Sequence, residues 1–187
     1  MIIGVTGRVG SGKSSFINII RKEFNIEIID LDQIGHMLLS DQGIKKKLVK
    51  AFSQAILGLK NEIDRKRLGA MVFTDKTKLK NLNKIIHPAI KKQVKKLCKE
   101  KAGKNIVIVG ALIEEIGLKS LCEKMIVIDA NDEDIIKVIG TKYYTISPNQ
   151  KSRKEYQSQA DYLIHNIFKE GKFRKDSLEL FKKAARF

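Results

Sequence analysis

The chain has 187 residues, a formal net charge of +16, and 31% charged residues. That length suits one domain with a real core. No run of about 18 apolar residues excludes itself from water, and MIIGVTGRVG has no basic start or cleavage site, so a cytoplasmic protein without a membrane partner is expected.

Lysine clusters at 45–47, 91–92, 95–96 and 182–183 carry much of the charge. They suit a solvated surface, a nucleic-acid face, or a field that attracts polyphosphate substrates. Few aromatics interleave with them and no nucleic-acid motif occurs, so the solvated surface is favoured and no nucleic-acid partner is expected. A monomer is expected as well. Cys98 and Cys122 form no CxxC pair and read as buried thiols on apolar, helical stretches in a reducing compartment.

The elements alternate along the chain. MIIGVT (1–6) is a short apolar run that reads as a buried strand, followed by a glycine-rich loop at 7–12. Phe16, Ile19, Ile20 and Phe24 then recur at helical spacing. IEIID (26–30), NIVIV (105–109), MIVID (125–129) and DYLIH (161–165) read as four more strands. The roughly 75 residues between the second and third strands look helical throughout, far more than one crossover needs. Within them, Leu79, Leu82, Ile85, Ile86, Ile90, Val94 and Leu97 keep a helical period over 76–101, which Pro88 should bend or interrupt. An amphipathic helix closes the chain at 173–186. Strands alternating with helices predict an α/β fold with a parallel five-stranded sheet covered on both faces.

The pattern G-x-x-x-x-G-K-[ST] is met by Gly7, Gly12, Lys13 and Ser14. It follows a predicted strand and opens a predicted helix, the context that makes it a phosphate loop rather than a structural turn. Backbone N–H groups of such a loop cradle phosphate oxygens, and the helix adds its positive end. Arg8, Val9, Gly10, Ser11, Gly12, Lys13, Ser14 and Ser15 are therefore expected to hold ATP. Lys13 would reach the β- and γ-phosphates, and Ser14 would ligate Mg²⁺. A guanine-reading N/T-K-x-D after a strand is missing, since NKII (83–86) lacks the aspartate. A small-molecule kinase fits the size best.

Asp30 and Asp32 follow the second strand, expected beside the loop's strand at the edge where ligands bind. Asp32 could take the proton of an attacking hydroxyl and help hold Mg²⁺. Either aspartate could instead cap the next helix.

Here the sequence resembles the dephospho-CoA kinase family. The resemblance is carried in order by GRVGSGKS (7–14), IDLD (29–32), IDRKRLGAMVF (63–73), LNKIIHP (82–88), VGALIEE (109–115) and ADYLIHN (160–166). It implies a single three-layer P-loop kinase domain over 1–187, with a helical CoA-binding insertion at 32–104 and a lid at 131–159. It implies phosphorylation of the 3′-hydroxyl of dephospho-CoA by ATP. Asp32 would be the base, with Lys13 and the lid's single arginine, Arg153, as further catalytic groups. Arg65, His87 and Glu114 would face the acceptor, and Asn166 the adenine. Simpler roles are a surface ion pair of Arg65 with Glu62 or Asp64, a core position for His87 and a turn for Asn166.

The sequence departs from the family at three places. Arg8 replaces a usual glycine, and its side chain could reach phosphate. Gly110 replaces a proline. The lid is short of arginines and is interrupted by Gly140 and Pro148, leaving Lys137 and Lys142 as substitutes. A nucleotide-binding homologue with lost catalysis, or a kinase for another small metabolite, are the alternative readings.

Overall fold

The computed structural model describes residues 1–186. Five parallel strands form one sheet: β1 (Ile2–Thr6), β2 (Glu27–Asp30), β3 (Ile106–Val109), β4 (Lys124–Asp129) and β5 (Tyr162–His165). Their spatial order is β2-β3-β1-β4-β5. Contrary to the expectation that β2 lies beside β1, β3 comes between them and pairs with both. The sequence of β3 is compatible with that interior place. IVIV is apolar at every position and fully buried, which suits a strand covered on both faces by its neighbours.

Alternate residues of that strand serve two cores. Ile106 and Ile108 pack with the helices that follow β2, namely α2 (Leu31–Leu38), α3 (Gln42–Phe52), α4 (Arg65–Val72) and α5 (Lys76–Glu100). Val107 and Val109 face the opposite layer, made of α1 (Lys13–Glu23) and the C-terminal helix α9 (Glu170–Ala185). There Phe16 and Phe181 are fully buried and meet edge to face at 6.3 Å between centroids. Each such ring contributes about 2–3 kcal/mol by leaving water.

Helix α5 runs from Lys76 to Glu100 through Pro88 without a break. Pro88 removes the bond to the carbonyl of Lys84, yet both residues are exposed, so water can satisfy that carbonyl. Packing of α2, α3 and α4 against α5 holds the rest of the helix. The segment before β3 also holds a feature that is not helical, a bridge between Leu57 and Ile63. Between β4 and β5 lie only short helices: α6 (Asp132–Ile139), α7 (Lys142–Ile146) and α8 (Arg153–Gln157). Gly140 ends the first of them at φ 61°. Among the described residues, no helix is long and apolar enough to cross a membrane.

Candidate active site

The loop between β1 and α1 stands at the C-terminal edge of the sheet, at its central strand. Its shape depends on glycine. Gly12 has φ 106°, and a Cβ there would overlap the Asn166 amide. Gly7 has φ 146°, and a Cβ would overlap the Ile128 carbonyl. No side chain caps α1, which leaves its first amides open to an anion. The Ser11 hydroxyl is buried and makes no hydrogen bond among the described residues, so it too is available to a ligand.

Lys13 turns back into the loop, where Nζ donates to the Gly7 carbonyl at 2.8 Å and the Arg8 carbonyl at 2.9 Å. Burial lowers its pKa to about 8, and the charges of Asp32 and Asp30 oppose that shift. The lysine and both aspartates thus share one electrostatic site. The two aspartates differ in role. Asp30 caps α2, accepting from the N–H groups of Asp32 at 2.8 Å and Gln33 at 3.1 Å. That leaves the Asp32 carboxylate exposed on the first turn of α2.

Asn166 does more than end a strand. It is 2% exposed, and its Nδ2 donates to the Ser11 carbonyl at 3.0 Å. Its Oδ1 accepts from the Phe168 N–H at 2.8 Å. It braces the loop and lines a cavity of about 350 Å³ with Ser15, Asn18, Phe168 and Arg174.

A second cavity, of about 840 Å³, opens between α2, α4 and α5. Leu39, Leu68, Val72, Phe73 and Leu82 give it an apolar lining, and Arg65 and His36 a polar one. Arg65 forms neither ion pair considered above. Asp64 caps α4 and faces Arg67, whereas Arg65 Nη2 reaches His36 Nε2 at 2.7 Å. Arginine only donates, so Nε2 must be the acceptor. The sequence reading missed His36, although it stands one helical turn after Asp32 in IDLDQIGH and so on the same side of α2. His87 lines a different hollow on α5, with Lys76, Lys80 and Asn83. Burial lowers its pKa, opposed by a hydrogen bond to the Glu115 backbone.

Three expected site residues are engaged elsewhere. Arg8 is 7% exposed; its guanidinium pairs with Asp132 and donates to the Ala130 carbonyl at 2.6 Å, away from the cradle. These two acceptors hold the side chain at the turn between β4 and α6. Arg153 grips Asp129 through Nε at 2.8 Å and Nη2 at 2.6 Å, and gives Nη1 to Asn131 at 2.7 Å. Burial would raise the Asp129 pKa, but hydrogen bonds from Arg153, His165 and Gln157 outweigh it and hold the carboxyl below its ordinary value. Glu114 pairs with Lys151 and lies 3.7 Å from Lys119. Of the two thiols, Cys98 is on α5, but Cys122 ends a 3-10 turn rather than a helix. Both are only partly buried, and burial pushes Cys122 to about 12.

The dephospho-CoA kinase family model matches residues 1–170. The chain belongs to the dephospho-CoA kinase family. A dephospho-CoA kinase of Borrelia garinii is 40% identical over 130 residues, which cover 70% of this chain and 62% of that relative. One of Fusobacterium nucleatum is 30% identical over 194 residues, covering 100% of this chain and 96% of its own length. The structure of a dephospho-CoA kinase from Campylobacter jejuni superposes with a TM-score of 0.73 at 25% identity, covering 99% of this chain and 97% of that one. A family of ATP-using kinases accounts for the phosphate loop. The sheet and its helical layers are those of the P-loop kinase fold.

Proposed function

We propose that this protein transfers the γ-phosphoryl group of ATP to the 3′-hydroxyl of dephospho-CoA. The observation that carries the reading is a phosphate loop that holds Lys13, with the exposed carboxylate of Asp32 after β2 at the same edge of the parallel sheet. Two cavities are available to the substrates. The smaller, beside Ser15 and Asn166, suits the base of ATP. The larger has an apolar wall for a pantetheine arm and a guanidinium for a diphosphate.

In this reading the ribose 3′-oxygen attacks the γ-phosphorus in line. Its proton passes to Asp32, the bond from phosphorus to the β-phosphate oxygen breaks, and ADP leaves. Lys13 neutralises charge on the β- and γ-oxygens. The protein's task is mostly positioning and electrostatics. The residues fit Mg²⁺ as well. Ser14 is exposed at the start of α1, within the same site as Asp32. Ser14 and Asp32 would help hold Mg²⁺, which would supply positive charge against the transferring phosphoryl group.

Replacing the proposed base tests the assignment. Asp32→Asn is expected to lower turnover at least about a hundredfold while ATP affinity stays within a few fold. A loss under tenfold rejects Asp32 as base. One observation favours a second reading, a nucleotide-binding homologue without turnover: the single arginine of 131–159 is occupied by Asp129. Retained ATP binding with no phosphorylated acceptor in the wild-type protein would select it.

A further inference from the structure

The stretch 147–153 spans the mouth of the site, and its polar residues tie to different walls. Asn149 Nδ2 donates to the Phe73 carbonyl at the end of α4, at 3.4 Å. Gln150 Oε1 accepts from the Val9 N–H in the phosphate loop at 3.2 Å. Lys151 Nζ donates to Glu114 and lies 3.6 Å from Glu115. Ser152 and Glu155 then form a reciprocal cap that fixes the start of α8 directly after Lys151.

Transfer of a phosphoryl group concentrates negative charge on its equatorial oxygens, and a cation from the lid side commonly offsets it. The available cations can be sorted by position. Arg153 is committed to Asp129, whose side chain is 4% exposed. Arg8 is committed to Asp132 and Ala130. Lys137 is 75% exposed and faces Asp134, and Lys142 and Lys154 are exposed. Lys151 is different. Its side chain is 25% exposed, and its amine lies against the turn that follows β3. Strand β3 separates the strand that ends at Asp30 from the strand that ends in the phosphate loop. The turn is therefore between the proposed base and the loop, where donor and acceptor must meet. The neighbouring residue, Gln150, touches the loop's backbone.

We propose that Lys151 is the lid cation of this enzyme, resting on Glu114 and Glu115 and moving onto the γ-phosphoryl oxygens when both substrates are bound. The inference rests on the kinase reading above. The two carboxylates hold the place that phosphoryl oxygens take during transfer. Lysine has the flexible stem this needs, and three donors at its tip. Burial would lower its pKa, but Glu114 and Glu115 outweigh that, so the amine arrives charged. Lys119 remains by Glu114 to neutralise it after the exchange.

The test compares wild type, Lys151→Met and Lys151→Arg, with acceptor-dependent ADP release and the affinities for ADP alone and for ADP with aluminium fluoride. The expected result for Lys151→Met is a fall in kcat of about a hundredfold, with a matching loss of ADP–aluminium fluoride affinity, while ADP affinity stays within threefold. Lys151→Arg should recover kcat to within about tenfold of wild type. A kcat loss under tenfold in Lys151→Met overturns the proposal. So does an equal loss of ADP affinity, which marks a merely structural tie, or failure of Lys151→Arg to recover. A wild-type protein inactive on dephospho-CoA instead defeats the kinase reading itself.

Discussion

Lys13 shows how one residue's environment sets its chemistry. Without phosphate, its ammonium is desolvated among carbonyls and its pKa falls to about 8. Between pH 8 and the ordinary lysine value, the unfolded chain binds the extra proton, so stability of the unliganded fold rises with pH across that window. ATP should reverse the shift, because phosphate favours the charged form. Binding at pH 8.5 is then expected to take up roughly 0.7 proton. Calorimetry in buffers of different ionisation enthalpy reads this directly, and Lys13→Met should abolish it. No uptake would mean the lysine is already fully charged. Lys13 and Asp32 were legible in the sequence because both belong to local patterns tied to strand ends. Lys151 was not, since its partner Glu114 is 37 positions away and only the fold joins them. The resting partners of Arg8 were hidden for the same reason: its acceptors lie more than 120 positions on.

Among the elements, α8 illustrates a helix held by electrostatics rather than length. It has five residues and buries only Tyr156, whose hydroxyl donates to the Ala111 carbonyl at 3.0 Å. Arg153 fastens it to the end of β4, with His165 of β5 on the same carboxylate at 3.0 Å. Removing the arginine would leave the buried carboxylate without its fixed positive partner, with only His165 and Gln157 beside it. Arg153→Met should therefore cost about 3 kcal/mol of stability, and Asp129→Asn with Arg153→Met together less than their separate sum. Denaturant unfolding of the single and double variants measures the coupling, and strict additivity would show that the pair is not a strut. The strands were readable as buried runs to within a residue or two. Helix α5 was readable from its period, but its passage through Pro88 was not. Local rules weigh the missing bond, whereas solvent at Lys84 and three packed helices decide the outcome.

At the scale of the whole molecule, charge is divided unevenly. Residues 42–101 hold 18 of the 37 lysines and arginines but four of the 21 acids, so the remainder is nearly neutral. A general compositional bias toward lysine would not deplete acids in one part alone. The segment between β2 and β3 thus carries most of the net positive charge. Sequence alone could not reveal the strand order, because insertion of β3 between β2 and β1 depends on a long helical return. That insertion positions the Glu114–Glu115 turn between Asp32 and the phosphate loop. The most direct test of the account is release of ADP by the wild-type protein with ATP and Mg²⁺, measured with dephospho-CoA, with other nucleosides, and with no acceptor. The account predicts ADP only with dephospho-CoA, matched mole for mole by a product carrying a new 3′-phosphate. Equal ADP without that acceptor, or bound ATP with no turnover on any acceptor, would contradict it.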